Sequence, residues 1–172
     1  MKKHIAGRAI LFAAVFASSA FVASSDPGPG MDPTFTATVT GAVSRQFSGD
    51  ATSMGRVADA WNAALQSPSG EGTILFGNDI AGRPTRGTYT IVDMEEHGGS
   101  PPAGQYTALV ALAGGGLTTP VGFGSVNGTL IIEASSPTEV TGSFNFLAVD
   151  AADSTRTVTV NGTFTTANEE IS

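Results

Sequence analysis

The sequence predicts an all-β domain, an antiparallel β-sandwich or partly open barrel of about eight or nine strands, set behind an N-terminal export signal. Three observations carry that expectation. Apolar and hydroxyl residues alternate with a period of two through most of the chain after residue 34, and turn signals separate the alternating runs. A short pattern (valine, polar, glycine, hydroxyl, large apolar) also recurs along the C-terminal half.

Residues 1–25 carry Lys2, Lys3, His4 and Arg8, then the apolar run Ala9 to Ala17, then small residues through Ser25. Positive, apolar and small is the order of a secretory signal peptide, and the run is shorter than the roughly 20 residues a bilayer-spanning helix needs. Residues 26–33 read Asp-Pro-Gly-Pro-Gly-Met-Asp-Pro, a stiff spacer. The folded domain is therefore expected over residues 34–168, with a short tail at 169–172.

In the first strand Phe35, Ala37, Val39, Gly41 and Val43 share one face, and Thr34, Thr36, Thr38 and Thr40 share the other. Similar alternation marks strands at Thr88–Val92, Gln105–Ala113, Gly128–Ala134, Val140–Val149 and Thr157–Thr165. Turns are expected at Gly98–Pro102, Gly114–Gly116, Ser135–Pro137 and Asp150–Ser154. One segment supports two readings. Val57, Ala60, Trp61, Ala64 and Leu65 form a helical stripe, whereas Trp61–Gln66, a Ser-Pro-Ser-Gly turn and Thr73–Phe76 form a hairpin.

The recurring pattern appears as Val126-Asn127-Gly128-Thr129-Leu130, Val140-Thr141-Gly142-Ser143-Phe144 and Val160-Asn161-Gly162-Thr163-Phe164, with a weaker copy at Val39-Thr40-Gly41-Ala42-Val43. Period-two geometry places the valine, the glycine and the large residue on the inward face. Glycine is a poor strand residue, so an inward glycine needs a reason. In one reading a ring such as Phe144, Phe164 or Trp61 lies across the bare backbone. In the other, Gly41, Gly128, Gly142 and Gly162, with Phe144, Phe164 and Trp61, line an apolar slot that takes a lipid or another hydrophobic ligand.

Several of these stretches together resemble a group of small exported bacterial β-sandwich domains of unknown function, many of them lipoproteins. The resemblance rests on Phe35-Thr36-Ala37-Thr38-Val39, Ser48-Gly49-Asp50-Ala51, Gly87-Thr88-Tyr89, Asn127-Gly128-Thr129-Leu130 and Val140 through Phe146. It implies an antiparallel sandwich, favours the hairpin at Trp61–Phe76 and supplies no catalytic residues. The chain departs from the lipoprotein members because it has no cysteine to acylate.

Composition closes off several functions. Without cysteine there is no disulfide and no thiolate metal site. Removing the leader leaves five arginines, no lysine and all 15 acidic residues, a charge of −10 in place of −7. Five scattered arginines cannot form the cationic stripe that nucleic acid requires, and the acidic field disfavours anionic lipid. After cleavage no stable membrane anchor is expected.

Beyond the leader His97 is the only histidine, so a zinc-binding histidine pair cannot be built. Glu95-Glu96-His97 lies before a glycine loop, and no metal is assigned to it. Ser125 lacks nucleophile-elbow spacing, and the Gly-x-Gly steps around it lead into a strand. Asp150 and Asp153 bracket a turn, where aspartate is ordinary. The expected function is an exported, non-catalytic binding or cell-envelope structural module without a cofactor. A carrier using the glycine slot is the alternative from another class, and a carboxylate-based hydrolase is a third. An envelope protein or an apolar ligand is the expected partner, and the periplasm, cell surface or medium the expected location.

Overall fold

A computed structural model describes residues 34–57, 60–78, 82–97, 100–113 and 119–167, with side chains described outside 53–60. The chain divides into two units, Met1–Gly30 and Met31–Ser172. The expected signal peptide, the spacer and the tail lie outside the described residues, as do the glycines of two expected turns, 98–99 and 114–116.

Nine strands account for almost all of the described chain. They are β1 (Thr34–Gly41), β2 (Arg45–Val57), β3 (Ala60–Gln66), β4 (Gly72–Gly77), β5 (Gly87–Ile91), β6 (Gln105–Leu112), β7 (Val121–Ser135), β8 (Glu139–Asp150) and β9 (Thr157–Ala167). The one helix among the described residues is a single turn, α1 (Met94–His97), whose first amides at Glu95 and Glu96 donate to Asp93 Oδ1.

The segment with two readings is the β3–β4 hairpin. Trp61, Ala63 and Leu65 point into the core, while Asn62, Ala64 and Gln66 point out. The helical stripe is lost because a neighbouring strand on each side supplies the hydrogen bonds a helix would make internally.

The strands form a single mixed sheet closed in the order β1-β2-β3-β4-β6-β5-β7-β8-β9, not two packed sheets. The expected sandwich is corrected to a barrel because β1 pairs with both β2 and β9, leaving no open edge at the seam. A sandwich and a barrel have the same alternation, one face in and one out, so periodicity alone does not separate them. Nor is the pairing wholly antiparallel. β5 runs parallel to β6 at Thr90 with Gln105 and Ile91 with Tyr106, and β2 meets β9 in parallel at Thr52 with Ala167.

One end of the barrel gathers the β1–β2, β3–β4, β6–β7 and β8–β9 connections. Its described polar groups are paired. Arg45 Nη1 donates to the carbonyls of Ala113 (2.5 Å) and Glu71 (3.4 Å), and the Phe47 ring covers Gly72. Arg156 Nη1 pairs with the buried Asp150 Oδ2 at 2.6 Å and lies over the Phe123 ring. Asp150 Oδ1 also accepts the Ala152 amide, which gives this turn aspartate a structural role.

Candidate functional site

The inward glycines fall in successive layers of the wall rather than in one row. Following cross-strand partners, the first layer reads Phe35–Phe164–Gly142–Ile132, the second Ala37–Gly162–Phe144–Leu130, and the third Val39–Val160–Phe146–Gly128. Each layer holds one glycine directly opposite one phenylalanine. A Cβ on Gly142 would lie 2.9 Å from Phe164 Cζ, and one on Gly162 would lie 2.6 Å from Phe144 Cζ. At Gly128 it would run into the backbone and Cβ of Phe146, with Phe146 Cα 2.6 Å away. These separations are far inside van der Waals contact, so the space beside the three glycines is occupied by this chain's own rings and backbone.

Gly41 stands apart from that arrangement. It is exposed at the end of β1, with φ of 123°, and its place is set by a left-handed backbone conformation that glycine adopts without steric cost. In the first copy of the sequence pattern a bulge between Ser125 and Asn127 shifts the parity. Ser125 is therefore buried where Val126 was expected inward.

Among the expected slot residues the structure does bring the rings together. Phe144 and Phe164 stack with centroids 6.4 Å apart, Phe76 lies 5.2 Å from Phe144, and Trp61 lies 6.3 Å from Phe164. Nine buried aromatic rings fill the described interior. The Gly72–Phe47 pair repeats the device at that end and was missed in the sequence, because nothing local relates a glycine at the start of β4 to a ring 25 positions earlier.

On the outside, the alternation produces rows that are polar except at Ile131, which is 40% exposed. Ser48–Thr36–Thr163–Ser143–Ile131–Thr88 and Gln46–Thr38–Asn161–Asn145–Thr129–Thr90 run as cross-strand neighbours over six strands, and neither row contains a charge. Beside them is a groove of about 290 Å³ walled by Thr34, Thr36, Thr141, Thr163, Thr165 and Glu133, with Gly142, Phe35 and Phe164 at its floor. Thr36 Oγ1 and Thr163 Oγ1 share a hydrogen bond of 3.2 Å across it. Gly142 and Phe164 thus border a groove whose walls are hydroxyls and one carboxylate.

Polar groups also reach inside the wall. Tyr106 is buried at 1% exposure, and desolvation, with Tyr89 adding to it, holds its phenol well above the ordinary value of 10.0, while a hydrogen bond with Asn78 opposes the shift. The phenol therefore stays neutral in the folded chain. Trp61 Nε1 is buried with no hydrogen-bond partner, the one such side-chain atom among the described residues.

Ser125, weighed in the sequence as a nucleophile, joins a fork instead. β6 and β7 pair directly from Leu109–Gly124 to Leu112–Val121 and then part to admit β5. At the parting Ser125 Oγ accepts the Ala108 amide (3.0 Å) and donates to the Val92 carbonyl (2.7 Å). Its single donor and one of its acceptor lone pairs are committed to the backbone. Glu95 and Glu96 lie exposed on α1, and no group of three metal-binding side chains forms among the described residues.

The sequence matches no family model, no curated protein and no solved structure.

Proposed function

We propose that this chain is an exported, non-catalytic binding or cell-envelope structural module that meets its partner on the outer surface of the barrel. One observation carries the reading. Three of the four glycine positions that would open an interior slot are occupied by the chain's own rings and backbone, whereas the outside offers rows of hydroxyls and amides, broken by Ile131, with a groove beside them that carries Glu133.

A rigid, aromatic-filled barrel is a platform for surface recognition. An apolar interior under a threonine-rich exterior is also the reverse of a membrane barrel, which turns its apolar side chains outward. No helix among the described residues is long and apolar enough to cross a membrane. The leader's charge order supports export.

Two measurements test the reading. Cell fractionation with N-terminal sequencing is expected to find the chain outside the cytoplasm, starting between residues 20 and 27; an intact Met1 in the cytoplasm contradicts export. Native mass spectrometry of chain purified from its own envelope is expected to show an envelope-protein partner. Thr163→Arg, which places a long cation in the groove, is expected to weaken that association at least tenfold, and Ser154→Arg, exposed on the β8–β9 turn outside both rows and the groove, is expected to leave it intact. A partner retained equally by both variants overturns the groove. A lipid mass retained in place of a partner favours the carrier reading.

A further inference from the structure

The tetrapeptide Val-Asn-Gly-Thr occurs twice in the chain, at 126–129 on β7 and at 160–163 on β9. Asparagine is a thermolabile side chain, and it is least protected before glycine, which has no side chain to shield its amide nitrogen. In that reaction the glycine nitrogen bonds to the asparagine Cγ, the bond from Cγ to the side-chain nitrogen breaks, and ammonia leaves with the amide proton. Water then opens the five-membered imide at either carbonyl, giving aspartate or isoaspartate. The two copies have the same immediate neighbours in sequence, so a difference in their reactivity is made by the fold.

The fold treats them differently. Asn161 is half-buried between Thr38 on β1 and Asn145 on β8, and Gly162 stands between Ala37 and Phe144, so this copy is paired on both sides. Asn127 is exposed and lies in the fork. β6 pairs with β7 no further than Gly124, and β5 joins only at Gly128, so Ser125, Val126 and Asn127 have no register partner on that side among the described residues. On the other side β8 pairs with Ser125 and Asn127 but skips Val126, the bulged residue. Gly128 itself faces Ile91, the last residue of the five-residue β5. Closing the imide requires the extended backbone to turn until the glycine nitrogen meets Cγ, so the rate in a folded strand is set by how readily that stretch opens.

We propose that Asn127 is a site of spontaneous covalent modification in the folded barrel, deamidating through the Gly128 amide nitrogen, while the identical copy at Asn161 is protected by its two flanking strands. The aspartate product puts a negative charge into the outer row Thr40–Thr159–Leu147–Asn127, which otherwise has none. The isoaspartate product goes further. It routes the main chain through the former side chain and lengthens β7 by one atom between the bulge and the β5 pairing, which loosens the hold on β5 and leaves the β8–β9 pairing as it was. The site needs neither the outer groove nor a partner, so it stands or falls independently of the proposed function.

The test ages the natural chain in mildly alkaline buffer, folded and in urea, and follows each asparagine by peptide mass spectrometry, where deamidation adds about 1 Da and electron-transfer fragments separate isoaspartate from aspartate. In urea the two asparagines are expected to convert at equal rates. In the folded chain Asn127 is expected to convert at least about tenfold faster than Asn161. Ser125→Ala, which removes the hydroxyl bridging Ala108 and Val92 across the fork, is expected to accelerate Asn127 and leave Asn161 unchanged. Asn127→Gln is expected to abolish the mass gain at that position, because the longer side chain cannot close the five-membered ring. Equal rates at the two asparagines in the folded chain overturn the inference, and so does faster conversion of Asn161. An Asn127 that stays wholly amidated in the folded chain through about ten half-lives of the unfolded reaction overturns it as well.

Discussion

The wall built from β7, β8 and β9 and the wall built from β4, β6 and β5 belong to one sheet but are held together differently. In the first, strands of 15, 12 and 11 residues pair continuously, and every inward glycine faces a phenylalanine on the next strand. In the second, a five-residue strand is wedged into a fork, one of its two neighbours runs parallel, and a serine hydroxyl replaces the ladder at the branch. The contrast teaches that the order of this fold is concentrated in the glycine-ring wall. The forked wall is where the barrel is expected to give way first, and its Tyr106 packs against the unpaired indole of Trp61 on the neighbouring β3.

The largest expected effect comes from breaking the first wall. Gly162→Val drives a branched side chain into Phe144 and the Thr36 carbonyl, and it is expected to remove several kcal/mol, most of the stability of a domain this size, in urea denaturation. Gly122→Ala is the control on β7, because a Cβ there meets nothing within 4 Å; it is expected to stay within about 0.5 kcal/mol of the natural chain. If the two substitutions cost the same, glycine-ring packing is not what holds the first wall.

A smaller effect is expected at the fork. Ser125→Ala leaves a buried amide at Ala108 and a carbonyl at Val92 without their partner, a loss of about 1–3 kcal/mol. Amide exchange is expected to rise in Gly87–Ile91 and to change little in Val140–Val149. Uniform acceleration across both walls contradicts the division between them.

Much of the first wall was legible in the sequence, and little of the second. The alternation at Phe35, Ala37 and Val39, and the inward placement of Gly142, Phe144, Gly162 and Phe164, follow from the period of a strand, which is a local property. Closure into a barrel is not local; it depends on β1 finding β9 more than a hundred residues away. β2 went unread as a strand because Ser48, Gly49 and Asp50 are poor strand formers that pairing with β1 holds extended, β3 joining from Asp50 onward. The fork was unreadable for the same reason, since Ser125 acquires its role from Ala108 and Val92. The unpaired Trp61 donor is visible only once the core is assembled around it.

The smallest expected effect is one of pH, and it sharpens the picture of the forked side. Burial keeps Tyr106 protonated in the folded chain beyond the point at which the unfolded chain ionises. Its contribution is fully present below the unfolded value near 10 and is lost as pH rises above it, so stability declines in strong alkali. In a Tyr89→Phe variant, phenolate absorbance near 295 nm is expected to appear together with loss of near-ultraviolet circular dichroism. Phenolate formed while the core signal persists contradicts the burial of Tyr106.

The account rests on one claim, that an inward glycine is the seat of a neighbouring ring and not the lining of an open slot. Gly72 and Phe47 test it most directly, because the three nearest neighbours of a Cβ at Gly72 are all Phe47 ring atoms, at 2.5 to 2.8 Å, with no backbone among them. In a double-mutant cycle, Gly72→Ala is expected to destabilise the natural chain and to be neutral or stabilising once Phe47→Ala has removed the ring, a coupling of at least about 1 kcal/mol. Additivity of the two substitutions within about 0.5 kcal/mol contradicts the claim.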